Sequence, residues 1–182
     1  MSRKVHMEVN HSPLRFVLSS VNSYVVFGLP LHILVNHFVV VLVPLTALAV
    51  LLHAFWPAAR RRLGVVTALG GVVIVVLVPI TISAGRALEL KTGVTPAIQL
   101  HADLGATLLP WAIALCIISV IEWVWYRFVL AAPVGERMSL LARRASVTII
   151  AGAAVIIAVG SVVDVVLIGD AGARAVWGTL FK

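Results

Sequence analysis

Four stretches of this chain are too long and too apolar for the core helices of a small soluble domain. They run roughly Pro30–Trp56, Leu63–Gly85, Pro96–Tyr126 and Ser146–Ile168. A helix needs about 20 apolar residues to cross a hydrocarbon core. Lipid offers backbone polar groups no partner outside their own segment, so each stretch has to be helical. Composition agrees, since 12% of the 182 residues are charged against about 25% in a soluble domain. The expected fold is therefore all-α: an integral membrane four-helix bundle over residues 30–168.

Local signals mark the ends. Gly28-Leu29-Pro30 breaks the preceding segment and puts proline at a first helical turn. Thr95-Pro96 offers an N-cap followed by proline at the next position. Pro44, Pro79 and Pro110 fall inside spans one, two and three, where a missing backbone hydrogen bond predicts kinks. Span four carries Gly152, Ala154, Ala158, Gly160 and Ser161, small residues that let helices approach closely.

The flanks read as attachments to this bundle. Residues 1–29 are a polar N-terminus, which does not read as a secretory signal, and a short interfacial amphipathic helix. In that helix Leu14, Val17, Leu18, Val21 and Val25 share one side, with Arg15, Ser19, Asn22 and Ser23 on the other. Gly169-Asp170 reads as a stop, with residues 169–182 forming a C-terminal interfacial stub. No internal repeat is evident beyond the rhythm of helical hairpins. The lone Cys116 lies mid-span, where it reads as a small buried hydrophobe; a single cysteine excludes an internal disulfide framework.

A net charge of +7 would suggest nucleic acid if it formed a stripe on a soluble face. Here arginines collect in short loops, which points to topology and to no nucleic-acid partner. Arg60, Arg61 and Arg62 join spans one and two; Arg127, Arg137, Arg143 and Arg144 join spans three and four. By the positive-inside rule both termini and the loop Ala87–Thr95 lie outside, in a bacterial inner membrane. Trp56, Trp123, Trp125 and Tyr126 read as an aromatic belt at the other face.

The informative feature is where ionisable residues collect. His32 and His37 of span one, Arg86 of span two, His101 and Asp103 of span three, and Asp164 of span four all fall toward one leaflet. Charged groups inside a membrane usually face the bundle interior or an aqueous cavity. Counting helical rise from Pro30 and Pro96, His37 and His101 come out near level, with His32 closer to the surface. His32 and His37 lie about 140° apart around a helix, so one span-one histidine is expected to pair with His101. Opposed histidines on parallel helices suit a b-type haem. Arg86 then suits a propionate, and Asp103 or Asp164 could orient an imidazole. The structural alternative is histidines bonded to neighbouring carbonyls, Asp103 on the helix dipole, and an Arg86–Asp164 ion pair. At the other leaflet His53 finds no second histidine at its level, and Glu122 could partner either His53 or a loop arginine.

Gly28-Leu29-Pro30-Leu31-His32 followed by His37, then Ser83-Ala84-Gly85-Arg86-Ala87-Leu88-Glu89 and His101-Ala102-Asp103-Leu104-Gly105, resembles the bacterial membrane-protein family called domain of unknown function 2231. The resemblance covers about residues 28–128, with span four agreeing in layout. It implies a four-span bundle with His32, His37, Gly85, Glu89, His101 and Gly105 as signature positions, and it sets Glu89 with Asp103 and Asp164 among the supporting polar groups. Two positions depart from the family pattern: Ile33 stands where members often have proline, and Arg86 where they often have an acid.

The resulting expectation is a small cytochrome b-like membrane protein. One haem b would be held by His37 or His32 with His101, exchanging electrons with quinol or a larger respiratory complex in the lipid bilayer. A non-catalytic accessory subunit and a non-haem metal-binding protein are the alternatives. No nucleotide-binding loop, paired catalytic carboxylates or nucleophile beside a base points to an enzyme.

Overall fold

In the computed structural model, residues 25, 26, 29–131 and 133–178 are described. Two short strands, β1 (Val25–Val26) and β2 (Leu29–Pro30), pair antiparallel at the start. Helix α1 spans Leu31–Phe55, α2 Pro57–Thr92 and α3 Pro96–Val124. A π-helical turn, Trp125–Val129, extends α3; a short α4 (Pro133–Arg137) and a long α5 (Leu140–Trp177) follow. Among the described residues, α1, α2, α3 with its π turn, and α5 are each long and apolar enough to cross a membrane.

The long helices form a square, each antiparallel to its chain neighbour, with α5 closing the ring against α1. The parallel helices α1 and α3 face each other across a diagonal. Val43, Val50, Ile74 and Leu115 are fully buried at the centre. Outward, Phe38, Val66, Ile117 and Ile149 are exposed, as lipid-facing side chains are. Packing, rather than escape from water, holds such a bundle, and small residues permit it. A Cβ on Gly71 would stand 2.8 Å from the Cα of Cys116, and one on Gly160 would collide with Trp111. Of the small residues expected to pack on the last span, Ala154, Ala158 and Ser161 are buried, while Gly152 meets nothing.

The ends differ in detail from the sequence reading. Thr95 caps α3 as expected, accepting a hydrogen bond from the Ile98 N–H at 3.3 Å, with Pro96 in the first turn. Pro30 stays extended (ψ 127°) just before α1 instead of entering it. The helices run unbroken through Pro44, Pro79 and Pro110. The sharp bend is at Gly64, whose φ of +34° suits glycine, and it makes the arginine segment a helical elbow. The expected stop at Gly169-Asp170 does not occur: α5 continues to Trp177, with Asp170 and Arg174 paired at 2.8 Å one turn apart. One helical glycine costs only about 1 kcal/mol, too little to end a helix with partners on both sides. The amphipathic segment 14–24 lies outside the described residues, and Val25, read as its last position, is in β1.

Candidate functional site

The inward stripe of α1 repeats every seven residues as His32, half-buried, and Val39, Thr46 and His53, all buried. The facing stripe of α3 is His101, Leu108, Leu115 and Glu122. A seven-residue repeat keeps one seam toward a partner helix, so both ladders line the diagonal. Each places one ionisable group at either end, 21 residues apart, or about 31 Å along the helix. That is close to the hydrocarbon thickness of a bilayer, about 30 Å.

At the histidine end, two contacts are built alike. His32 Nδ1 lies 2.9 Å from the Thr81 carbonyl on α2, and His101 Nδ1 lies 3.0 Å from the Ile168 carbonyl on α5. Four residues after each carbonyl comes a glycine, Gly85 or Gly172, and a Cβ there would stand 3.0 Å from the imidazole. The missing side chain is what lets each ring reach a carbonyl already engaged in its own helix. A carbonyl only accepts, so Nδ1 carries the proton and donates, leaving the Nε2 lone pair free. Across the axis the two rings stand with centroids 6.1 Å apart and planes at 83°.

These paired contacts are an internal repeat that the sequence reading did not find. Leu31-His32 with Ala84-Gly85 corresponds to Leu100-His101 with Ala171-Gly172. The chain separations differ, 53 residues from His32 to Gly85 and 71 from His101 to Gly172, so no fixed period exposes the repeat. The two hairpins, α1–α2 and α3–α5, are related about the bundle axis. The seven-residue ladder was the legible signal.

The remaining candidates scatter. His37 is exposed on the outer side of α1, its Nδ1 2.6 Å from the Ile33 carbonyl of its own helix, so the span-one histidine beside His101 is His32. Levelling the helices at Pro30 and Pro96 misled, because α1 and α3 do not begin in one plane. Arg86 and Asp103 are exposed, and Glu89 is half-buried. Asp164 is buried on α5 and accepts from the Thr107 hydroxyl at 2.7 Å, so its partner is not Arg86. Glycine 105 has open space around its Cα.

The opposite end is richer than the sequence suggested. His53 and Glu122, both buried, approach to 3.4 Å. The Gly64 elbow brings Arg60 over them: its guanidinium donates to the His53 and Ala54 carbonyls at 2.9 and 2.6 Å. The same group lies 3.5 Å above the ring of the buried Tyr126. Tyr126, read as part of an interfacial belt, is thus a wall of this cluster, 5.5 Å from the His53 ring.

Among the described residues, no group of three or more His, Cys, Asp or Glu side chains is placed to hold a metal ion. At the histidine end the described residues bring two imidazoles together. Comparison with known proteins finds no matching family model, no matching curated protein and no matching solved structure.

Proposed function

We propose that this chain is a small cytochrome b-like membrane protein whose single haem is held between His32 and His101. The observation that carries this reading is the pairing of two imidazoles across the bundle axis. Each is oriented by an Nδ1–H bond to a backbone carbonyl and has its Nε2 free. The two imidazoles would hold the haem iron, whose remaining donors the macrocycle would supply.

When bound, haem supplies a one-electron couple. The protein's share is to fix both rings through the carbonyl bonds and surround them with apolar helix. Arg86 lies one residue past Gly85, where a propionate could reach it. The electron partner in this proposal is quinol or a larger respiratory membrane complex. The setting is a bacterial inner membrane with the histidine end and both termini outside, from the arginine bias of the opposite loops. Kinship with the domain of unknown function 2231 family belongs to the same proposal and rests on the motifs at His32, Gly85 and His101.

The test is an absorption spectrum of the detergent-purified full chain, expressed with haem supplied. A Soret band is expected, lost in His32→Ala and in His101→Ala and kept in His37→Ala. A colourless wild-type protein, or a band that survives both ligand substitutions, would sink the proposal.

A further inference from the structure

The arginine end holds buried polar groups for which a haem at the other end has no use. His53 Nδ1, both carboxyl oxygens of Glu122, the Tyr126 hydroxyl, the Trp125 indole N–H and the Thr67 hydroxyl are all buried without a hydrogen-bond partner in the protein. His53 and Glu122 stand within ion-pair distance at 3.4 Å, yet their geometry makes no hydrogen bond. Stable proteins rarely leave such atoms unpaired, and where a site is polar, ordered water supplies the missing partners. Six such atoms at one end, drawn from α1, α2 and α3, form a buried polar cluster whose missing partners water would supply.

The charge inventory says what the cluster can take. Facing it are His53 from α1, Arg60 from α2, and Glu122 with Tyr126 from α3. At this level α5 presents Ala151, beside Ala54 of α1, while its Arg143 and Arg144 are exposed. Arg60 and Glu122 balance each other, so no further metal cation is called for. What remains is an acceptor pair, carboxylate and imidazole, that can share one extra proton. Toward the bundle centre the surroundings turn apolar, with Val43, Ile74 and Leu115 fully buried, so the wet region ends there. The π-helical turn that begins three residues after Glu122 carries Trp125 and the buried Tyr126, and such turns often accompany functional sites.

We infer that the arginine end is a hydrated proton-exchange site. Glu122 and His53 take a proton from the aqueous phase on that side, past Arg60, and return it by the same route. The proton arrives from water and is held between the carboxylate and the imidazole. Arg60 keeps its own protons, no heavy-atom bond forms, and no electron moves. The site is independent of whether the histidine end holds haem.

Infrared difference spectroscopy of the full chain between about pH 5 and about pH 9 tests this. The expected result is a carboxyl band that appears within seconds of the pH change, is absent from Glu122→Gln, and shifts in frequency in Tyr126→Phe. Absence of any pH-sensitive band assignable to Glu122 overturns the inference. If Glu122→Gln does not fold, Tyr126→Phe decides: a frequency shift supports the site, and an unmoved band overturns it.

Discussion

The two ends of the α1–α3 diagonal solve one problem, polar groups inside an apolar bundle, in opposite ways. At the histidine end each ring is satisfied within its own hairpin by a carbonyl that a glycine leaves accessible. The two rings then meet with nothing owed between them. At the arginine end the groups depend on one another across three helices, and several remain short of partners. The first arrangement presents two prepared lone pairs; the second stores charge. The difference teaches that burial alone does not decide what a histidine pairs with. His53 is more buried than His32, yet its neighbour is a carboxylate rather than a second imidazole.

Substitutions can break that contrast. The largest effect is expected from Glu122→Ala, which strands Arg60 and His53 and should cost about 3–5 kcal/mol, the usual result of removing one partner of a buried pair. In the haem-free protein His32→Ala should cost only about 1–2 kcal/mol, since Thr81 keeps its helical hydrogen bond. Chemical denaturation of the two variants, followed by circular dichroism, checks the order. Equal losses would mean the histidine end is as interdependent as the other.

A smaller effect sharpens the internal repeat. Gly85→Val and Gly172→Val should each displace an imidazole and destabilise by about 1–3 kcal/mol, like other overpacked sites. Gly105→Ala, with open space around it, should instead gain about 0.5–1 kcal/mol of helix stability. Unequal losses from the two valine variants in the same unfolding measurement would show that the hairpins are not equivalent. The smallest effect is expected at the exposed Asp170–Arg174 pair. Arg174→Ala should leave the unfolding midpoint unchanged within error, and a clear drop would mean that this turn holds α5 together.

Much of the fold was legible because lipid removes choices. Runs of apolar residues as long as Leu31–Phe55 have one way to satisfy their backbone, and Thr95-Pro96 announces a helix start by chemistry that needs no tertiary context. The candidate histidines were legible as a set, and the seven-residue ladder from His32 to His53 was present in the residues although its meaning was missed. The choice between His32 and His37 was hidden, because it turns on the relative height of two helices, which no span boundary records. The C-terminal stop at Gly169-Asp170 was misread for a related reason: a local breaker yields when the helix has neighbours to pack on.

By itself, then, the sequence determined that four long helices form and where their apolar runs lie. Those properties follow from local backbone chemistry and side-chain periodicity. Only the tertiary structure decided that His32 rather than His37 meets His101, that glycines at 85 and 172 cradle the two rings, and that Arg60 folds back over His53, Glu122 and Tyr126. Such contacts depend on the stagger and rotation of helices against one another. Those are set by close packing at positions such as Gly71 and Gly160, and packing is a property of pairs of helices, not of any one segment.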